Sequence, residues 1–91
     1  MIFFIGIKGS GMASLACMLK EIGHDVTGSD IEKHLFTEEQ LHLHHIPILP
    51  FGAIIPDHST VIIGNAFKED FPDVVSARQN PTLTCFRYHE Y

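Results

Sequence analysis

Ten residues near the start of the chain have the types and spacing of an anion-binding loop. Phe3-Phe4-Ile5-Gly6-Ile7-Lys8-Gly9-Ser10-Gly11-Met12 runs from a short apolar segment through a glycine-rich turn into a helical pattern. Backbone N–H groups at a helix start have no intrahelical partner and lie at the positive end of the helix dipole, so a phosphate can dock there without any dedicated side chain. Asp30 follows 19 residues after Gly11, at the end of a second apolar run. That is where a nucleotide-binding βαβ unit sets the carboxylate that meets a ribose. A carboxylate after a strand equally serves to cap the next turn, and the sequence leaves both roles open.

The residue at odds with the dinucleotide fingerprint is Lys8. In G-x-G-x-x-G the second glycine lies against the pyrophosphate; Gly6 and Gly11 fill the first and third places, and Lys8 the second. A plain NAD site is disfavoured, although Gly9 keeps the turn open and the lysine adds a cation facing either phosphate or solvent. A P-loop fits no better, because that motif needs Gly-Lys-Ser/Thr at its helix start and the chain has Gly11-Met12-Ala13.

Other chemistry-bearing groups read as structural. His42, His44 and His45 form a short tract, but no cysteine or carboxylate is spaced to complete a tetrahedral metal set, and a solvated helix end suits histidine. Glu38 and Glu39 suit a solvated first turn. Glu69, Asp70 and Asp73 flank a helix start, where negative charge is favourable in itself. No nucleophile elbow, Ser-His-Asp order or metalloprotease helix occurs, so no catalytic residue and no metal ligand is assigned.

These groups need a scaffold, and the apolar periodicity supplies one. Strands are expected near Ile2 to Gly6, Asp25 to Gly28, Ile46 to Leu49, Thr60 to Gly64 and Thr82 to Phe86. Met12, Leu15, Ala16, Leu19 and Ile22 recur at helical spacing, with Gly23 at the helix end. A second helix begins at Thr37, with Gln40 completing a capping box and Phe36 stapled on Leu41, and runs to about His44. A third starts around Asp70 to Pro72 and ends before Asn80-Pro81. Pro50 to Ser59 is too short for a crossover helix and reads as a loop with a helical turn. The whole is an α/β fold, a Rossmann-like parallel sheet of about five strands with flanking helices. Ligands of such sheets bind beyond the carboxyl ends of the strands, an edge that collects Gly6 to Gly11, Asp30, Phe51, Asn65 and Ala66.

Ninety-one residues make one domain, and a chain of this size buries only about 60–65% of its unfolded surface. Net charge is −5, and the six Lys and Arg residues form no basic stripe, which argues against a general nucleic-acid binder. With all seven histidines protonated, −5 becomes +2, so solubility is poorest at mildly acid pH. Cys17 and Cys85 sit in apolar patterns with no disulfide or zinc spacing. The Met1 to Ile7 run is too short for a signal peptide or membrane span, and the cytoplasm is the default location.

The glycine loop ending in Met12, together with Gly28-Ser29-Asp30-Ile31-Glu32-Lys33-His34, Gly64-Asn65-Ala66-Phe67 and Arg87-Tyr88-His89-Glu90, resembles the N-terminal domain of Mur ligases over all 91 residues. The resemblance implies a Rossmann-like domain, residues 1–91, that holds the UDP part of UDP-N-acetylmuramate while the lactyl carboxylate projects toward the rest of the enzyme. Lys8, Gly9, Ser10, Gly11 and Met12 would cradle the diphosphate. Asp30, Asn65, Ala66 and Phe51 would meet the uridine, Phe51 standing with Pro50 where many relatives carry a Gly-His pair.

The implied parent is an ATP-dependent ligase that adds L-alanine in peptidoglycan synthesis. Its ATP, Mg2+ and amino-acid sites would lie in central and C-terminal domains outside these residues, so the fragment alone would bind substrate and catalyse nothing. Two alternatives stay open: a ligase of the same family that recycles a tripeptide, and a regulatory NAD-binding module.

Overall fold

The computed structural model describes all 91 residues. The chain runs β1 (Ile2–Ile5), α1 (Ser10–Glu21), β2 (Val26–Asp30), α2 (Glu38–Leu43), β3 (Ile48–Pro50), β4 (Thr60–Ile63), α3 (Pro72–Gln79), β5 (Thr84–Arg87) and a 3-10 turn at Tyr88–Glu90. All five strands pair in parallel, in the order β3-β2-β1-β4-β5. The α/β, Rossmann-like reading of the sequence is therefore correct, strand number included.

β1 is buried along its whole length because both of its faces are covered. Ile2 and Phe4 join Ala13, Ala16, Leu19 and Leu41 in a core under α1 and α2. Phe3 and Ile5 join Val61, Ile63, Val74 and Ala77 in a second core under α3. The alternation of strand side chains thus splits one apolar run between two layers, as a doubly covered parallel sheet requires. After β3 the chain crosses to the far side of β1, so strand order reverses between β1 and β4, and the glycine loop leaves β1 at that switch point.

Several boundaries differ from expectation. β2 extends through Ser29 and Asp30 because the Ser29 carbonyl accepts the N–H groups of both Gly6 and Ile7, carrying the pairing with β1 past Gly28. β3 begins two residues later than expected, since the Ile46 N–H is spent on the Leu41 carbonyl at the end of α2. Thr82 is held in a turn by Asn80, so β5 starts at Thr84. The Thr37 capping box and the Phe36 staple do not form: Thr37 makes no side-chain cap, Phe36 is 82% exposed, and Leu41 alone enters the core. Pro50 to Ser59 holds turns and no helix. An open groove of about 260 Å³ lies there, between Ile54, Ile55 and α3.

Candidate functional site

The glycine loop turns sharply where β1 ends. Gly6 has φ +87, a left-handed conformation that an L side chain adopts only under strain, and the Phe67 ring fills the space where a Cβ would stand. Gly9 is the N-cap of α1, with its N–H on the Gly6 carbonyl at 3.2 Å. The N–H groups of Ser10, Gly11 and Met12 have no acceptor in the protein, no side chain caps the helix, and its first turn carries no acid. Three unpaired donors at the positive end of a 12-residue helix form an anion cradle. A Cβ at Gly11 would lie 2.5 Å from the Tyr88 hydroxyl, which therefore stands against the cradle and would have to move for any larger residue. Tyr88 lies in the Arg87 to His89 stretch expected at the same sheet edge, but nothing local in the sequence indicates that its hydroxyl reaches Gly11.

Lys8 corrects the sequence reading. Its N–H donates to Asp30 Oδ2 at 2.8 Å, so it is not a free donor of the cradle. Its ammonium is turned inward: it donates to the carbonyls of Ile31 (2.7 Å) and Lys33 (3.0 Å) and pairs with Glu38 Oε1 at 3.0 Å, with the side chain 2% exposed. The Thr37 hydroxyl donates to the Lys8 carbonyl at 2.6 Å. Glu38, read from sequence as a solvated first-turn acid, is instead a half-buried counter-ion. The Lys8 hydrogen bond, aided by the Leu35 N–H and the nearby positive charges, holds its carboxyl below the usual range against the opposing effect of burial. Thirty residues separate Lys8 from Glu38, and no local pattern links them.

Asp30 takes up the capping role that the sequence had left open. Oδ1 accepts the Ile31 N–H at 2.7 Å while Oδ2 holds Lys8, tying the end of β2 to the glycine loop. The carboxylate also lines a cavity of about 260 Å³ with Ile31, Glu32, Leu49 and Pro50, which gives it access to a ligand through its remaining lone pairs.

The other expected uridine contacts fall in two places. Asn65 and Ala66 are exposed just past β4, one strand beyond β1 from the cradle, with Asn65 Oδ1 3.2 Å from His89 Nδ1. Phe51 is turned the other way. It packs edge-on against Phe67 and Phe71, with ring centroids 5.3 and 4.8 Å away, on the α3 face of the sheet. Its ring is engaged by other rings rather than presented at the edge where Asp30 lies.

The remaining polar groups hold elements together. Glu69 pairs with Arg78 and Arg87, and Arg87 also donates to the Phe67 carbonyl. Asp73 accepts the Gly52 N–H with both oxygens, the nearer at 2.9 Å. His44 bridges α2 to α1 through Glu21 (2.8 Å) and the Gln40 carbonyl, contacts that raise its pKa, Glu21 contributing most. Burial is the main cause of raised pKa at the free thiols Cys17 and Cys85. No three His, Cys, Asp or Glu side chains converge to hold a metal ion, and no helix is long and apolar enough to cross a membrane.

A parallel sheet with reversed strand order, a glycine loop and an uncapped helix start at the switch point define a Rossmann-like α/β domain. The family model "Mur ligase family, catalytic domain" matches residues 1–91, and the chain belongs to the Mur ligase family. It is 47% identical over 90 residues to the UDP-N-acetylmuramate–L-alanine ligase of Lacticaseibacillus casei, covering 98% of this chain and 20% of the relative. It is 49% identical over 89 residues to that of Pediococcus pentosaceus, covering 97% and 20%.

Two solved structures share the fold. The UDP-N-acetylmuramate-alanine ligase of Thermotoga maritima superposes with a TM-score of 0.76 at 32% identity over 97% of this chain and 21% of its own. The UDP-N-acetylmuramate:L-alanyl-gamma-D-glutamyl-meso-diaminopimelate ligase of Neisseria meningitides gives 0.73 at 31%, over 96% and 28%. The chain thus spans about a fifth of the length of the curated relatives it matches.

Proposed function

We propose that residues 1–91 form the UDP-sugar-binding N-terminal domain of a ligase that joins L-alanine to UDP-N-acetylmuramate in peptidoglycan synthesis. The observation that carries this reading is the trio of unpaired N–H groups at Ser10, Gly11 and Met12, in a chain nearly half identical to ligases named for that substrate. The diphosphate sits on those three donors, with Gly9 lining the turn. Asp30 meets the uridine from the cavity beside it, and Asn65 and Ala66 approach from the opposite side of β1. Phe51 acts through the three-ring cluster and not by stacking on the base.

No P-loop sequence follows the glycine turn, no metal-ligating cluster exists, and Lys8 is committed to internal partners. In this reading ATP activation of the lactyl carboxylate, Mg2+ binding and amino-acid selection belong to central and C-terminal domains of the parent, which acts in the cytoplasm on a small-molecule substrate rather than on nucleic acid or membrane. The likeness to the Neisseria meningitides ligase supports a second reading, a parent that joins a preformed peptide to the same nucleotide sugar; the domain described here would serve either.

Titration calorimetry of the chain with UDP-N-acetylmuramate, UDP and NADH tests the binding role. Saturable heats are expected from the first two and none from NADH; saturable NADH binding that UDP does not compete away would reject it.

A further inference from the structure

Every polar group of Lys8 is engaged inside the protein. The N–H is held by Asp30, the carbonyl by Thr37, and the three donors of the ammonium by the Ile31 carbonyl, the Lys33 carbonyl and Glu38. Residues 31–37 contain neither strand nor helix, so these bonds hold the segment against the glycine loop. A cation 2% exposed is tolerable only while its partners stay in place, since a buried charge that loses its counter-ion is strongly destabilising.

We infer that Lys8 is a positioning residue for the anion site: its side chain latches the 31–38 segment onto the glycine loop, and this latch sets the direction of the Ser10, Gly11 and Met12 N–H groups and the wall of the Asp30 cavity. Lys8 itself does not touch the diphosphate. The inference rests on the reading that a nucleotide diphosphate binds at the start of α1, but the latch has a signature without ligand.

Lys8→Met and Glu38→Gln, made in the 91-residue chain, separate positioning from direct contact because the two roles predict opposite effects for the second variant. If Lys8 positions, both variants weaken UDP binding by about 5- to 10-fold, the scale of one ordinary intramolecular hydrogen bond. The salt dependence of binding stays as in the parent chain, since no phosphate-neutralising cation has been removed. If Lys8 contacts phosphate, Glu38→Gln frees the ammonium and leaves binding unchanged or tighter, Lys8→Met flattens the salt dependence, and the inference is overturned. In the absence of ligand, backbone order parameters of residues 31–36 are expected to fall below about 0.6 in both variants, the range of flexible chain, while those of β1 and β4 hold. Unchanged order there overturns the latch whether or not UDP binds. Failure of the unsubstituted chain to bind UDP instead overturns the functional reading and leaves the ligand-free measurement to judge the latch.

Discussion

α1 and α3 both follow a strand that ends at the same edge of the sheet, yet their starts are opposites. α1 is entered through Gly9, has no acid in its first turn and leaves three N–H groups unpaired. α3 is entered through Phe71 and Pro72, so one donor is missing from the outset and two, Asp73 and Val74, stay unpaired; Asp73 supplies negative charge in the first turn, and the Phe51, Phe67 and Phe71 rings pack together at its N-cap. The dipole is common to both helices. What suits one end to an anion is that the sequence leaves it small, uncharged and open, while the other carries the protein's own proline, acid and rings.

The largest expected effect comes from destroying the turn that presents α1. Gly6→Ala forces an L side chain to φ +87 and into the Phe67 ring, and a loss of roughly 2–3 kcal/mol of stability is expected in urea denaturation. Ser10→Asp makes the start of α1 resemble that of α3. UDP affinity should drop by about tenfold from charge repulsion at the cradle, while stability rises by about 0.3–1 kcal/mol as the carboxylate meets the dipole. If binding survives that substitution intact, the contrast between the two helices has no functional meaning. The converse change, Asp73→Ala, removes the Gly52 anchor and should cost about 1 kcal/mol of stability without altering UDP affinity.

The smallest effects concern pH. Glu38 has a lowered carboxyl pKa, so its contribution to stability is complete above the ordinary value of 4.5 and is lost as pH falls through the folded value. His44 has a raised pKa, so its contribution is complete below the ordinary value of 6.5 and is lost as pH rises through the folded value. Thermal melts should show a shallow decline at each limit. Glu38→Gln should flatten the acid side and Glu21→Gln the neutral side, each leaving the other unchanged.

What could be read from the sequence was whatever depends on near neighbours. The apolar runs gave the five strands, the 3.6-residue spacing of Met12 to Ile22 gave α1, and the glycine turn and Asp30 fall together at the carboxyl ends of β1 and β2, as expected. What escaped was long-range pairing. Lys8 was read as a free cation because its partners Ile31, Lys33 and Glu38 are brought to it only by the β1–β2 crossover. Thr37 was read as a cap because local rules favour capping, yet its hydroxyl is drawn to the Lys8 carbonyl. Phe51 was placed against a base for its position after β3, while the loop carries its ring to the α3 face.

Backbone amide shifts recorded during a titration with UDP-N-acetylmuramate compare the two helix starts in one experiment. Saturable shifts at Ser10, Gly11 and Met12, with Val74 and Val75 in α3 unmoved, are the expected result. Shifts centred on α3, or produced at the α1 start by NADH and not by the UDP-sugar, would contradict a diphosphate site built from the uncapped end of α1.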